Sequence, residues 1–217
     1  MHPIERLRFV ARAEGVPADV LAVEATTALM TFAGDPAALV AGCRRVLARQ
    51  VSCGPLWWSC ARLLTAASVR ETAVETVRLI EGDTTSASLS LAIDALPTDH
   101  DRGSADGDPD AGGDSAVPTL VRALAIGSSE AIVVRSADPA AGGDDGAVWL
   151  VGSVGCRLAD PLWDALTDHW PGPRSRGEER VPLDGFTHVV GPSGPVPVDA
   201  LGAPDCPVAP ELFRLAG

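Results

Sequence analysis

Four histidines, five cysteines and one glycine-bracketed turn are where this 217-residue chain could house chemistry. The turn Gly152-Ser153-Val154-Gly155 follows the apolar run AVWLV, and a turn at the end of a buried strand can aim backbone N–H groups at a phosphate. Arg157 is the neighbouring cation that would hold such an anion. Ser128 and Ser129, in a turn between two β-prone runs, and Arg135 after the second run complete a candidate ligand-binding set. The glycines do not spell GxGxxG, and a simple tight turn accounts for both of them. His2, His100, His169 and His188 have no Ser, Cys or carboxylate beside them in a nucleophile motif, so no catalytic residue is assigned. For His188 the plainer reading is a hydrogen-bonded structural side chain.

The cysteines Cys43, Cys53, Cys60, Cys156 and Cys206 are odd in number, widely spaced and contain no CxxC pair. They read as reduced thiols filling a core, without a zinc site or disulfide. Asp106, Asp108 and Asp110 imitate the first ligands of a calcium loop, but Ala111 and Val117 stand where that loop needs Gly and Glu. A solvated segment is the better account, and no metal or other cofactor is implied. All 17 basic residues are Arg, and Lys, Asn and Tyr are missing, the bias of a GC-rich bacterial genome. Without Lys there is no Schiff-base chemistry and no P-loop lysine. A net charge of −12 repels phosphate backbones, so nucleic acid is not an expected partner. No apolar run approaches membrane-spanning length and MHPIERLRF is no signal peptide, so the sequence reads as cytoplasmic and not membrane-bound.

The elements that must position these residues change character along the chain. Residues 1–82 read as a helical domain of about five short helices, punctuated by Gly15 and Pro17, Asp35-Pro36, Gly54-Pro55 and a Ser68/Glu71 capping box. Within it Trp57 and Trp58 are adjacent, and neighbours on a helix do not face the same way; one reads as core and the other as a partner contact. Residues 83–96 form a connecting segment in which SLSLAIDAL alternates like a strand but also permits a helix. Residues 97–116 carry six Asp and one Arg with no apolar side chain larger than Ala, the composition of an acidic flexible linker. From 117 to 217 the runs VPTLVRALAI, AIVVRS, AVWLVGSVG and FTHVVGPSG read as strands, and PLWDALTDHW reads as a helix. Arg174, Arg176 and Arg180 are placed in a loop. The fold class is α/β: an N-terminal helical bundle, an acidic disordered insert and a small Rossmann-like parallel-sheet domain.

That order, with particular segments, resembles the regulatory subunits of eukaryotic initiation factor 2B and the related methylthioribose-1-phosphate and ribose-1,5-bisphosphate isomerases. QVSCGPLW, residues 50–57, resembles the Arg-Pro-Thr segment that opens a helix there, and LVRALAI, residues 120–126, resembles the V-G-A-D-x-I strand. Ile132-Val133-Val134-Arg135 stands at the apolar pair and Asn-Lys, AVWLV at the V-P-V-x-V strand, and FTHVVGP and Pro210-Glu211-Leu212 echo the tail. The resemblance implies a Rossmann-like half that pairs into dimers. It also shows where this chain departs: Leu124 stands at the acid/base carboxylate, Ser129-Glu130 at the Asn-Gly, and no Cys-Asn-x-Gly turn exists. An aldose–ketose isomerase moves protons between neighbouring carbons, and leucine cannot. The resulting expectation is a non-catalytic module that binds a second copy or another protein, with a residual site for a phosphorylated small molecule. The competing expectation is an enzyme or sugar-phosphate sensor using Glu130, Asp138, Asp160 or His188.

Overall fold

The computed structural model describes residues 3–96, 117–134, 147–172 and 177–215. The acidic insert 97–116 and the candidates Arg135 and Asp138 lie outside the described residues, as do His2, His100, Arg174 and Arg176. Six helices precede the first described strand: α1 (Pro3–Arg12), α2 (Ala18–Leu29), α3 (Pro36–Leu47), α4 (Gly54–Thr65), α5 (Val69–Glu81) and α6 (Thr85–Asp94). The punctuation acts as its chemistry dictates. Asp35 Oδ1 accepts from the Ala38 N–H at 2.9 Å with Pro36 in the first turn, leaving one fewer unpaired donor at the start of α3. Ser68 stands at the N-cap of α5, but its hydroxyl makes no capping hydrogen bond. The ambiguous SLSLAIDAL is helix through Asp94, as the end of α6, and α6 packs on the sheet through β5 (His188–Gly191) and β6 (Gly194–Pro197).

The remaining strands are β1 (Thr119–Ile126), β2 (Glu130–Val134), β3 (Val148–Val151) and β4 (Glu178–Pro182), with helix α7 (Asp160–His169) between β3 and β4. All six strands form one sheet in the order β4-β2-β1-β3-β5-β6. Its centre is the parallel set β1, β3 and β5. β2 and β6 run antiparallel to their neighbours, and β4 pairs antiparallel with β2, so four of the six strands point one way. The loop expected around Arg180 is corrected to strand: Arg180 lies in β4 opposite Ile132 and its guanidinium pairs with Glu130.

Two apolar clusters lie on opposite faces of this sheet. The larger runs without a break from the helical half (Leu29, Leu47, Leu56, Trp57, Leu63) through Ala125 and Ile132 to Leu162 and Leu166 of α7. The smaller holds Val133, Leu150, Val181 and Val189, with half-buried Phe186, Val198 and Leu201 against it. Helix α4 joins the halves because its first residue, Gly54, has no side chain. A Cβ on Gly54 would stand 2.7 Å from the Leu124 carbonyl oxygen, 3.0 Å from that of Cys156 and 3.1 Å from the Ala125 Cα. Register shifts between Ala123 and Ala125, leaving Leu124 as the extra residue of a β-bulge under that helix start.

All three of those neighbours are backbone atoms and cannot rotate away. Gly54→Ala is therefore expected to lower stability by about 1–3 kcal/mol, read as a shift of the urea unfolding midpoint at constant slope.

Candidate functional site

The C-terminal ends of β1 and β3 meet the start of α4, and the turn 152–155 lies there. The chain leaves the sheet after Val151 and rejoins it alongside β1. Ile126 N–H donates to the Cys156 carbonyl at 2.8 Å, and Leu158 N–H donates to the Ile126 carbonyl at 2.9 Å. Gly155 has φ +77, a conformation that suits glycine, and a Cβ there would strike the Trp58 ring at 2.8 Å. The glycine thus serves backbone conformation and indole packing together.

Two of the turn's N–H donors, and that of Cys156 just after it, are engaged by the protein. Gly152 N–H reaches the Val190 carbonyl at 3.0 Å, and Cys156 N–H reaches the Ser153 carbonyl at 3.1 Å. Val154 N–H donates to Asp83 Oδ2 at 2.9 Å, while Asp83 Oδ1 accepts from the Thr85 N–H and hydroxyl at 2.8 and 2.6 Å. A carboxylate from the segment between α5 and α6 therefore stands where an anion at this turn would be held. Ser153 Oγ lies 3.3 Å from Cys156 Sγ. Arg157 turns its guanidinium onto the Gly202 carbonyl, and partial burial lowers its pKa from the ordinary value. Ser128 and Ser129 are exposed at the β1–β2 turn and line a separate shallow cleft of about 890 Å³ with Glu130, Asp184 and Asp199. The described candidate ligand residues thus share one end of the sheet but do not converge on one pocket.

Of the two tryptophans expected as one core residue and one partner contact, both are buried within the chain. Trp57 Nε1 donates to the Val51 carbonyl and Trp58 Nε1 to the Asp205 carbonyl, each at 2.8 Å. Two opposite faces of α4 are covered, one by the helical core and the other by Gly155 and the C-terminal segment, with Arg62 4.8 Å above the Trp58 ring. The sequence signal was the glycine 97 positions away, which only the fold places on the indole. Of the described histidines, His188 stacks obliquely on Trp149 with centroids 5.4 Å apart, and His169 Nδ1 lies 2.8 Å from the Ala165 carbonyl. Leu124 is half-buried against the larger core.

The thiols at this junction are held in their neutral form. Burial pushes Cys53 up to about 12, and burial likewise raises Cys156 to about 11, despite the Ser153 hydrogen bonds that favour its thiolate. A hydrogen bond with Cys43, then burial, raises Cys60 well above its ordinary value. Thiols in this condition are poor nucleophiles at neutral pH. Among the described residues no three His, Cys, Asp or Glu side chains gather as a metal site.

With this geometry in view, no family model matches the chain, and no curated protein matches it. Solved structures do. A chain of the tetrameric eIF2B beta2-delta2 complex from C. thermophilum is similar at TM-score 0.58 and 13% identity, over 91% of this chain and 91% of that one. The eIF2B beta structure from Chaetomium thermophilum is similar at TM-score 0.57 and 12% identity, over 91% of this chain and 88% of that one. The fold is thus distantly eIF2B-like across nearly its whole length. Among the described residues no helix is long and apolar enough to cross a membrane.

Two outcomes test the junction. Asp83→Ala removes charge-assisted hydrogen bonds and should cost about 1–3 kcal/mol of stability, read by urea denaturation. The Cys53 and Cys156 pKa values are raised from 9.0 in the folded state, so the unfolded chain releases those protons first as pH climbs. Their contribution is fully present below pH 9 and is lost as pH rises from 9 toward 11–12. The unfolding midpoint should therefore fall between pH 8.5 and 10.5, roughly, and fall less in a Cys53→Ala, Cys156→Ala variant.

Proposed function

We propose that this chain is a non-catalytic, eIF2B-like protein-interaction module of the cytoplasm, working by association with a second copy or another protein. The observation that carries this reading is Leu124. At the bulge of β1, where the resembling isomerases hold their acid/base carboxylate, an apolar side chain packs into the core. The thiols around it are suppressed by burial and the Asp83 carboxylate is engaged by Val154 and Thr85, so the junction offers no ready nucleophile and its one carboxylate is already bonded. The similar solved chain belongs to a tetrameric complex of beta and delta subunits, which supports a protein partner for this chain as well.

A phosphate ligand at Gly152, Ser153, Gly155 and Arg157 is disfavoured within this reading. It would meet the Asp83 carboxylate, a like charge already bonded to Val154 N–H, and would have to draw Arg157 off the Gly202 carbonyl.

Size-exclusion chromatography with light scattering should give twice the 22.3 kDa of one chain at tens of micromolar, roughly the range where modest interfaces form. A mass of one chain throughout would remove the self-association. Pentose phosphates offered as substrates should not turn over; turnover abolished by a point change in the C-terminal half would overturn the non-catalytic reading.

A further inference from the structure

Away from the sheet end, a cleft of about 930 Å³ opens between α1, α3 and the segment around Trp170. Four arginines line it: Arg8 and Arg12 from α1, Arg45 from α3 and Arg49 just beyond that helix. Against them stand two acids, Glu14 and Glu178, in a chain whose acidic residues outnumber its basic ones 29 to 17. Glu178 gives its two oxygens to neutral donors, the Ser52 hydroxyl at 3.2 Å and the Trp170 indole at 3.4 Å. Arg8 pairs with Glu5 at 2.6 Å. Arg12, Arg45 and Arg49 are exposed and make no side-chain ion pair among the described residues.

Cations in the last turn of a helix answer its dipole, which accounts for Arg12 on α1 and Arg45 on α3. It does not account for a second arginine four positions from each, since like charges at that spacing repel. At the end of α1, moreover, Gln50 Nε2 already donates to the Val10 carbonyl and to that of Ala13 just beyond the helix, at 2.9 Å each. Unmatched positive charge is concentrated where an acidic protein would otherwise dilute it. Half-buried Phe32 and Trp170 place two aromatic rings in the same lining.

Resting on the protein-interaction reading above, we infer that this cleft docks an acidic segment of a partner protein, with Asp and Glu side chains interleaved with an apolar one. Paired guanidiniums recognise carboxylates in fork geometry, and the rings take the apolar side chain. The cleft volume suits a short stretch of chain. A nucleic-acid strand fits less well, because the −12 field opposes a long phosphate backbone beyond the reach of four arginines.

The test is fluorescence anisotropy with a short labelled peptide of Asp and Glu interspersed with Leu, titrated with the full chain at low salt. Saturable binding is expected, weakened about tenfold or more by Arg45→Glu with Arg49→Glu and by raised salt. Arg70→Glu with Arg78→Glu, two exposed arginines on α5 outside the cleft, should leave it unchanged. No binding at low salt overturns the inference. So does equal loss in both double variants, tighter binding of a single-stranded oligonucleotide, or pyrophosphate binding without peptide binding. Circular dichroism confirms that the variants fold. Light scattering on the same samples separates the two readings, because self-association persisting without peptide binding removes only the cleft.

Discussion

The union of the two halves depends on how closely the start of α4 approaches β1. With any side chain at position 54 the helix would be lifted off the Leu124 and Cys156 carbonyls, and the distances leave no slack. The bulge at Leu124 is the sheet's side of the same fit, displacing the strand where the helix arrives. Trp57 and Trp58 follow directly behind and carry the seal outward, one into the helical core and one onto Gly155. Close packing of this kind transmits strain rather than absorbing it, so the 152–155 turn is shaped by the helix it abuts as much as by its own glycines.

Most of the fold was written in local patterns. Asp35-Pro36 and Gly54-Pro55 start helices, and the apolar runs of β1, β2, β3 and β5 are strands because burial on two faces demands continuous hydrophobicity. The strands that went unseen, β4 and β6, are the two edges. EERVP and GPVP lack the apolar run because an edge strand faces water along one side, and charges and prolines there discourage pairing with another chain. The same chemistry that hid them from pattern reading protects the sheet from strand addition.

The candidate site was legible as a set of residues and illegible as an arrangement. Nothing in Gly152-Ser153-Val154-Gly155 announces that Asp83, seventy-one positions earlier, will bond to its centre. Nor does the adjacency of two tryptophans reveal that a late segment supplies the Asp205 carbonyl to the second. Local periodicity reports which faces are apolar; it does not report which distant group satisfies a particular donor. Leu124 was different, because the absence of a titratable group at a position is visible without any geometry.

An anion-accepting turn that is bonded to the protein's own carboxylate is a structural joint. Asp83 fastens the end of α5 to the loop after β3, in the manner that a phosphate at a strand end would fasten a ligand. Once the joint is internal, an incoming anion must break it and repel it, and both costs are electrostatic and large in a half-buried setting. The arginine-lined cleft lies instead along α1 and α3, beside the Gln50–Ser52 segment. With Leu124 packed against the core and Asp83 bonded to the turn, the polar groups of this junction are committed to holding the two halves together.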